Sequence, residues 1–496
     1  MTNFYAELEG AFQANAAGDC LRLVDGSVWS YELVRDMVAR MAQLLVEEGV
    51  EPGARVVVQV EKSAESLCLY LATLCVGGVY VPLNTAYTPA ELDYFVADAE
   101  PVLFFSSQRR GDVTSYTLDA DGGGTWMQAV NDRVRDDGAL ATHIVERDPD
   151  DLAAIVYTSG TTGRSKGAML SHRNLSSNAH ALCEAWDWRD DDVLLHALPI
   201  FHVHGLFIAS HCALLRGTPM HWLGKFNAAD VMQVLPRCTV MMGVPTFYSR
   251  LLSESEFSKS AAENMRLFIC GSAPLTEQVF SAFEERTGHR ILERYGMSET
   301  IVNTSNPLHG ERVPATVGFA LPGLELRIAD DQGNDLGVDQ VGSIEVRGPS
   351  VFGGYWRMPE KTREEIRGDG FFITGDLGTV DAEGRVAIVG RAKDMVITGG
   401  FNVYPKEVER LLDDMPAISE SAVIGVPHAD FGEAVVAVVV PTQADVDLAL
   451  IDAQLEGQLA RFKQPKAVVN VAELPRNAMG KVQKNLLREQ FADLLT

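Results

Sequence analysis

Leu21-Arg22-Leu23 alternates apolar and polar side chains as a short strand does, and Ser30 then precedes apolar residues at Leu33, Met37, Met41, Leu44 and Leu45. That spacing predicts a helix capped by the Ser30 hydroxyl and ended at Gly49, with Arg55 to Val60 as the next strand. The stretch from Ser66 to Ala90 carries no charge, but Gly77-Gly78, Pro82 and Asn84 interrupt it. A membrane helix is therefore excluded, and helix, turn and strand within a core are expected. Strand and helix patterns alternate to about Arg347, which predicts a layered α/β body with mainly parallel sheets. The pattern changes after Gly390-Arg391-Ala392-Lys393-Asp394: a helix starting at Pro405 with Val408, Leu411 and Leu412, two apolar strands (Ser421 to Gly425, Ala434 to Val440), and an amphipathic helix with Ile451, Leu455, Leu459 and Phe462. These predict a small α+β domain with its own core, dividing the chain into 1–392 and 393–496.

Composition adds limits. The net charge is −26 over 496 residues, which argues against non-specific binding to nucleic acid or anionic membrane; an anionic substrate would have to be met by locally placed cations. The cysteines (Cys20, Cys68, Cys75, Cys183, Cys212, Cys238, Cys270) form no C-x-x-C pair and read as reduced residues of a cytoplasmic protein. Met1 to Cys20 has no Lys, Arg or apolar run, so neither a secretory signal nor a transit peptide is expected.

The strand-like run Leu152 to Val156 leads into Tyr157-Thr158-Ser159-Gly160-Thr161-Thr162-Gly163-Arg164-Ser165-Lys166-Gly167. Glycines let backbone N–H groups approach phosphate oxygens, the hydroxyls add donors, and Arg164 and Lys166 bring positive charge to a polyphosphate. The order departs from Walker A, since Ser165 stands where the second glycine belongs, which disfavours a P-loop kinase or ATPase. The run resembles the phosphate-binding signature of the acyl-adenylating superfamily of acyl-CoA synthetases, peptide-synthetase adenylation domains and beetle luciferases. That resemblance covers nearly the whole chain. It implies a large layered α/β N-terminal domain, a small mobile α+β C-terminal domain hinged at Lys393, and ATP, Mg2+ and coenzyme A as reactants.

Further motifs receive roles through the same resemblance. Ser272 and Ala273, in Gly271-Ser272-Ala273-Pro274-Leu275, and the Tyr295-Gly296 pair of Glu293-Arg294-Tyr295-Gly296-Met297-Ser298-Glu299-Thr300 border the adenine. Each segment follows an apolar run and would sit at a strand's C-terminal end. Glu299 and Thr158 help to hold Mg2+, which prefers oxygen ligands and phosphates. Asp376 and Arg391 resemble the ribose contacts, a carboxylate suiting two adjacent hydroxyls. The implied nucleotide set also includes Ser159 to Gly163, Glu293, Ser298 and Lys393, with Lys166 among the catalytic groups. Lys481, in Leu474-Pro475-Arg476-Asn477-Ala478-Met479-Gly480-Lys481-Val482, resembles the catalytic lysine that neutralises charge growing on the α-phosphate. It must also be exposed in an open conformer, so a lysine acyltransferase and deacylase are expected partners. Gly399, Gly400 and Phe401 resemble the wall of a pantetheine tunnel, and Lys225 falls where related ligases place a cation for coenzyme A.

The acyl pocket distinguishes substrates. Many ligases for aromatic or long-chain acids have glycine before the Tyr-Gly pair; here Arg294 stands there, shortening the pocket and offering parallel donors to a second carboxylate. His202 resembles a gate residue, and His204 would point into the pocket with Met297 nearby. His-x-His without further ligands is a poor metal site. Together these residues resemble the malonate-activating members of the superfamily, implying ATP + malonate + CoA giving malonyl-CoA, AMP and pyrophosphate through malonyl-AMP. Methylmalonate is the nearest rival, since a methyl group changes discrimination by about 1–3 kcal/mol. A carrier-loading domain would need an acidic residue where His202 stands, and no carrier domain follows Thr496. A luciferase-like oxygenase would find a cationic pocket wrong for an apolar substrate.

Overall fold

The computed structural model describes residues 3–133, 143–158, 165–399, 401–428, 430–443, 446–455, 458–477 and 480–495. The Ser30 hydroxyl accepts from the Leu33 N–H at 3.1 Å and caps the helix Tyr31–Glu47. Its buried stripe is Val34, Val38, Met41, Leu44 and Leu45, whereas Leu33 is 41% exposed. The inward face is therefore rotated by one position at the first turn, where the chain leaves the cap. The uncharged stretch becomes the helix Ala64–Cys75, in which all residues after Glu65 are buried, and the buried strand Val79–Pro82. Charged side chains are missing after Glu65 because neither element has an outer face, and the buried Ser66 and Thr73 hydroxyls donate to the carbonyls of Ser63 and Leu69. Among the described residues no helix is long and apolar enough to cross a membrane.

Two sheets, of nine and six strands, form the layered body. Their centres are parallel: Arg55–Gln59 pairs with Val79–Pro82 and Leu103–Ser106 in one, and Val240–Gly243, Leu267–Cys270 and Leu292–Tyr295 run side by side in the other. The expected parallel alternation fails beyond the last of these. Thr304–Ser305 and Phe319–Ala320 join antiparallel, and Glu325–Ala329, Gly342–Arg347, Phe372–Val380 and Val386–Arg391 form a separate antiparallel sheet. Parallel pairing needs a crossover long enough to carry a helix. In 296–371 the described helix is the seven-residue Pro359–Glu365, so short connections fold the strands back on one another.

From Val396 onward the chain builds a five-stranded sheet with its own apolar packing. Along Gly432–Pro441, Val435, Ala437 and Val439 face one layer with Val408, Leu412 and Ile451, while Val436 and Val438 face another with Leu474 and Leu487. Period-two alternation on a sheet covered on both sides explains a strand with almost no polar residue. The helix expected to run to Phe462 is Leu448–Leu455; Leu459 and Phe462 reach the same core from beyond it. Helical spacing of apolar residues is equally served by separate segments that meet one surface.

Candidate active site

The strand Leu292–Tyr295 organises the site. Glu293, Arg294 and Tyr295 lie on this strand rather than after it, as the sequence had suggested, so alternate side chains point to opposite faces. Glu293 and Tyr295 share one face and Arg294 takes the other.

On the first face, the Tyr295 hydroxyl donates to Asp376 Oδ2 at 2.5 Å and Arg391 Nε donates to Asp376 Oδ1 at 2.6 Å. Asp376 and Arg391 are cross-strand partners in the antiparallel sheet, which is why two residues fifteen apart meet. The Leu275 N–H donates to Glu293 Oε1 at 3.1 Å. Burial pushes the Glu293 carboxyl up to about 7, against the pull of the Leu275 N–H and Lys406. Ser272 adopts φ +71° in the turn after Leu267–Cys270, a strained conformation for a residue with a Cβ. Ser272, Ala273, Gly296, Met297 and Ser298 are only partly buried, leaving backbone accessible beside Tyr295.

On the opposite face, Arg294 is 3% exposed, and its Nε and Nη2 have no hydrogen-bond partner among the described residues. Its guanidinium lies against Gly271, where a Cβ would fall 2.5 Å from Cζ; only glycine leaves that space. His204 donates or accepts at Nδ1 with Ser272 Oγ at 3.1 Å, and its buried Nε2 is also without a partner. Burial, then repulsion from Arg294, His196 and His202, drives the His204 imidazole well below the ordinary histidine range. His202 is pushed down to about 4 by the protein around it. Burial also lowers Arg294 to about 10, which leaves it charged at neutral pH. The arrangement is a buried cation beside two neutral imidazoles, with unused N–H donors. An anion that accepts from those donors and neutralises the guanidinium satisfies it best.

Thr158 ends the strand Leu152–Thr158, and Lys166 begins its antiparallel partner Lys166–Ser171. Thr158 Oγ1 and Glu299 Oε1 approach to 3.5 Å, two hard oxygen donors that fit Mg2+. Glu299 is 4% exposed, and burial raises its carboxyl above the usual range. Lys166 Nζ is 3.0 Å from Glu365 and 4.1 Å above the Tyr355 ring. Ser159, Gly160, Thr161, Thr162 and Gly163 lie outside the described residues, as does Gly400.

The Lys481 loop reaches this cleft from the small domain. Asn477 N–H donates to the Lys481 carbonyl at 2.9 Å and the Lys481 N–H donates to Asn477 Oδ1 at 3.0 Å. Gly480, at φ +74°, sits where a Cβ would be 3.2 Å from Thr246 Oγ1, at the start of the helix Pro245–Leu252. The Lys481 side chain is exposed to the cleft. Protein on both sides nonetheless pushes its amine down to about 8 by desolvation and by repulsion from Arg391 and Lys393, while Asp376 and Asp394 oppose. A second tie between the domains is Arg410 to Glu277 at 3.0 Å.

The residues assigned to coenzyme A are not gathered among the described residues. Lys225 is exposed beyond the strand Met220–Trp222, Gly399 turns beside Phe431, and Phe401 stacks on Phe462. Lys393 is exposed in the short turn Ala392–Asp394. Sequence reasoning missed Tyr355, Glu365 and Lys62. Lys62 is buried, donating to His196 Nδ1 at 2.8 Å and to the His196 carbonyl at 2.7 Å, while His196 Nε2 lies 2.9 Å from the Gly205 carbonyl. A carbonyl only accepts, so His196 carries its proton on Nε2 and braces the π-helical segment His204–Ser210. Nothing local marks Glu61-Lys62-Ser63 as different from a solvated turn.

The profile of the AMP-binding enzyme family matches residues 11–356, and that of the AMP-binding enzyme C-terminal domain matches 407–481. The chain belongs to the AMP-binding enzyme family. Among members of that family, it is similar to "Malonate--CoA ligase" of Arabidopsis thaliana, 34% identical over 96% of this chain and 88% of the relative. The solved structure of ATP-bound MatB from Rhodopseudomonas palustris is 51% identical, covers all of both chains and superposes with a TM-score of 0.96. The apo structure of that protein gives 0.84 over the same coverage. The arrangement of this AMP-binding enzyme is thus closer to the ATP-bound structure than to the apo one.

Proposed function

We propose that this protein is an ATP-dependent, AMP-forming malonate-CoA ligase. The observation that carries the reading is the buried Arg294 guanidinium, two of whose nitrogens, Nε and Nη2, have no hydrogen-bond partner among the described residues, beside neutral His204. One carboxylate of malonate pairs with that guanidinium, and the pairing orients the other toward the nucleotide face of the same strand. An oxygen of the free carboxylate then attacks the α-phosphorus of ATP as the bond to pyrophosphate breaks, giving malonyl-AMP. Lys481 meets the charge that builds on the α-phosphate oxygens, and Lys166 meets the outer phosphates. Thr158 and Glu299 would hold Mg2+, which supplies charge neutralisation to the phosphates. Asp376 accepts from the ribose, and Ser272, Ala273, Glu293, Tyr295, Gly296 and Ser298 border the base. In the second half-reaction the CoA thiol attacks the acyl carbon and AMP leaves.

Purified protein incubated with ATP and malonate should release pyrophosphate, and should yield a thioester and free AMP only when CoA is added. Methylmalonate should fall within a factor of roughly 10–200 of malonate, as one methyl group allows. Butyrate supporting turnover as well as malonate would overturn the dicarboxylate reading.

The small domain is proposed to rotate about Lys393 between the half-reactions, bringing Gly399, Gly400 and Phe401 to the pantetheine arm and Lys225 to the CoA phosphates. His202 is the gate that moves with it. Lys393→Pro fixes φ at this turn and should lower thioester formation at least tenfold more than pyrophosphate release; equal rates for both would remove the hinge from this position. Lys481, exposed to the cleft, is also the proposed target of an acyltransferase and deacylase. The described cysteines are all free, which fits a cytoplasmic setting.

A further inference from the structure

Lys166 is engaged on a side opposite in sign to any phosphate. Glu365, the last residue of the helix Pro359–Glu365, places Oε1 at 3.0 Å from Lys166 Nζ and at 3.2 Å from Lys361 Nζ. Its Oε2 accepts from the Tyr355 hydroxyl at 2.6 Å. The same hydroxyl lies 3.1 Å from Glu299 Oε1. A phenol has one proton, so facing two carboxylates it donates along the shorter contact, to Glu365. The Tyr355 ring lies beneath the Lys166 ammonium at 4.1 Å, and the pair is mostly enclosed, with side-chain exposures of 11% for Lys166 and 21% for Glu365.

A carboxylate that holds a phosphate-binding lysine competes with the phosphate for it. Removing a partner from an enclosed charge is costly when nothing replaces it, yet here the exchange is balanced. Once Lys166 turns to a phosphate, Glu365 keeps Lys361 and the Tyr355 proton. When the phosphate leaves, Glu365 is in place to take the ammonium back.

We propose that Glu365 is a positioning residue that parks Lys166 between turnovers and promotes departure of pyrophosphate by reclaiming it. This rests on the reading of Lys166 as a phosphate contact. Glu365 thereby weakens binding of both ATP and pyrophosphate, with Tyr355 joining its position to that of Glu299.

The test uses the full-length enzyme and inorganic pyrophosphate as product inhibitor. Glu365→Gln keeps the shape and removes the charge; it should tighten pyrophosphate inhibition and lower the KM for ATP roughly three- to tenfold, leaving the KM for malonate unchanged. Lys361→Met leaves Lys166 as the sole cation on Oε1 and should shift both quantities the opposite way, roughly two- to threefold. In a Lys166→Ala background, Glu365→Gln should do almost nothing. Weaker or unchanged pyrophosphate inhibition in Glu365→Gln would overturn the proposal, since mere structural damage weakens binding. Persistence of the full effect in the Lys166→Ala background would also overturn it, assigning the change to the general field of one carboxylate. If Lys166→Ala alone leaves ATP and pyrophosphate binding intact, the phosphate reading of Lys166 falls, and parking falls with it.

Discussion

Lys481→Ala should slow malonyl-adenylate formation roughly 100- to 1,000-fold, the loss of about 3–4 kcal/mol that accompanies removal of one donor aimed at developing charge. Conversion of supplied malonyl-AMP and CoA to thioester should be largely spared, because no charge grows on the α-phosphate in the same way. The comparison is made by following pyrophosphate release in one assay and thioester formation from synthetic adenylate in the other; equal losses would remove Lys481 from its assigned step. Its environment adds a pH signature. Desolvation and then repulsion from Arg391 lower the Lys481 amine to about 8 in the free enzyme, and the ammonium is the active form. The adenylation kcat/KM for ATP should therefore be full at neutral pH and decline as pH rises through about 8. Lys481→Arg, always protonated, should lose rate at pH 7 and show no such decline.

Arg294→Ala should reduce kcat/KM for malonate by about 2–5 kcal/mol, roughly 30- to several-thousand-fold, because one carboxylate is then left desolvated and unpaired. ATP binding should change little, since Arg294 points to the face of its strand opposite Glu293 and Tyr295. Butyrate and propionate have no second charge, so their activity should be retained or rise as the pocket lengthens. Arg294→Lys keeps the charge but not the planar fork, and should give an intermediate loss. The three forms are compared on malonate, methylmalonate, succinate and butyrate. Full malonate activity in Arg294→Ala, or equal losses on malonate and butyrate, would move the dicarboxylate pocket elsewhere.

The residues of the proposed nucleotide site could be picked out along the chain because they come as contiguous runs at strand ends. Thr158, Ser272, Glu293, Tyr295 and Glu299 each follow an apolar run, and Asp376 and Arg391 flank a hairpin. What the runs could not show was orientation. Leu33 has the right spacing for a buried face and is exposed, since the rotation of a helix about its axis is settled by what it packs against. The alternation that predicts mainly parallel sheets to about Arg347 takes in Glu325–Ala329 and Gly342–Arg347, which pair antiparallel, since strand patterning alone carries no direction.

The sequence by itself determined the class of chemistry, through the hydroxyl- and glycine-rich phosphate loop, the Tyr-Gly segment and the Lys481 loop, and it showed an arginine, Arg294, directly before the Tyr295-Gly296 pair. The tertiary structure decided which of these charges stand unpaired. Alternation along Leu292–Tyr295 places Arg294 on the face opposite Glu293 and Tyr295, its Nε and Nη2 without a hydrogen-bond partner among the described residues, and antiparallel pairing brings Arg391 onto Asp376. Lys166 meets Glu365 across 199 positions and Thr158 meets Glu299 across 141. Local periodicity records only which side of an element is apolar; the partner of a buried charge is set by the packing of elements far apart in the chain.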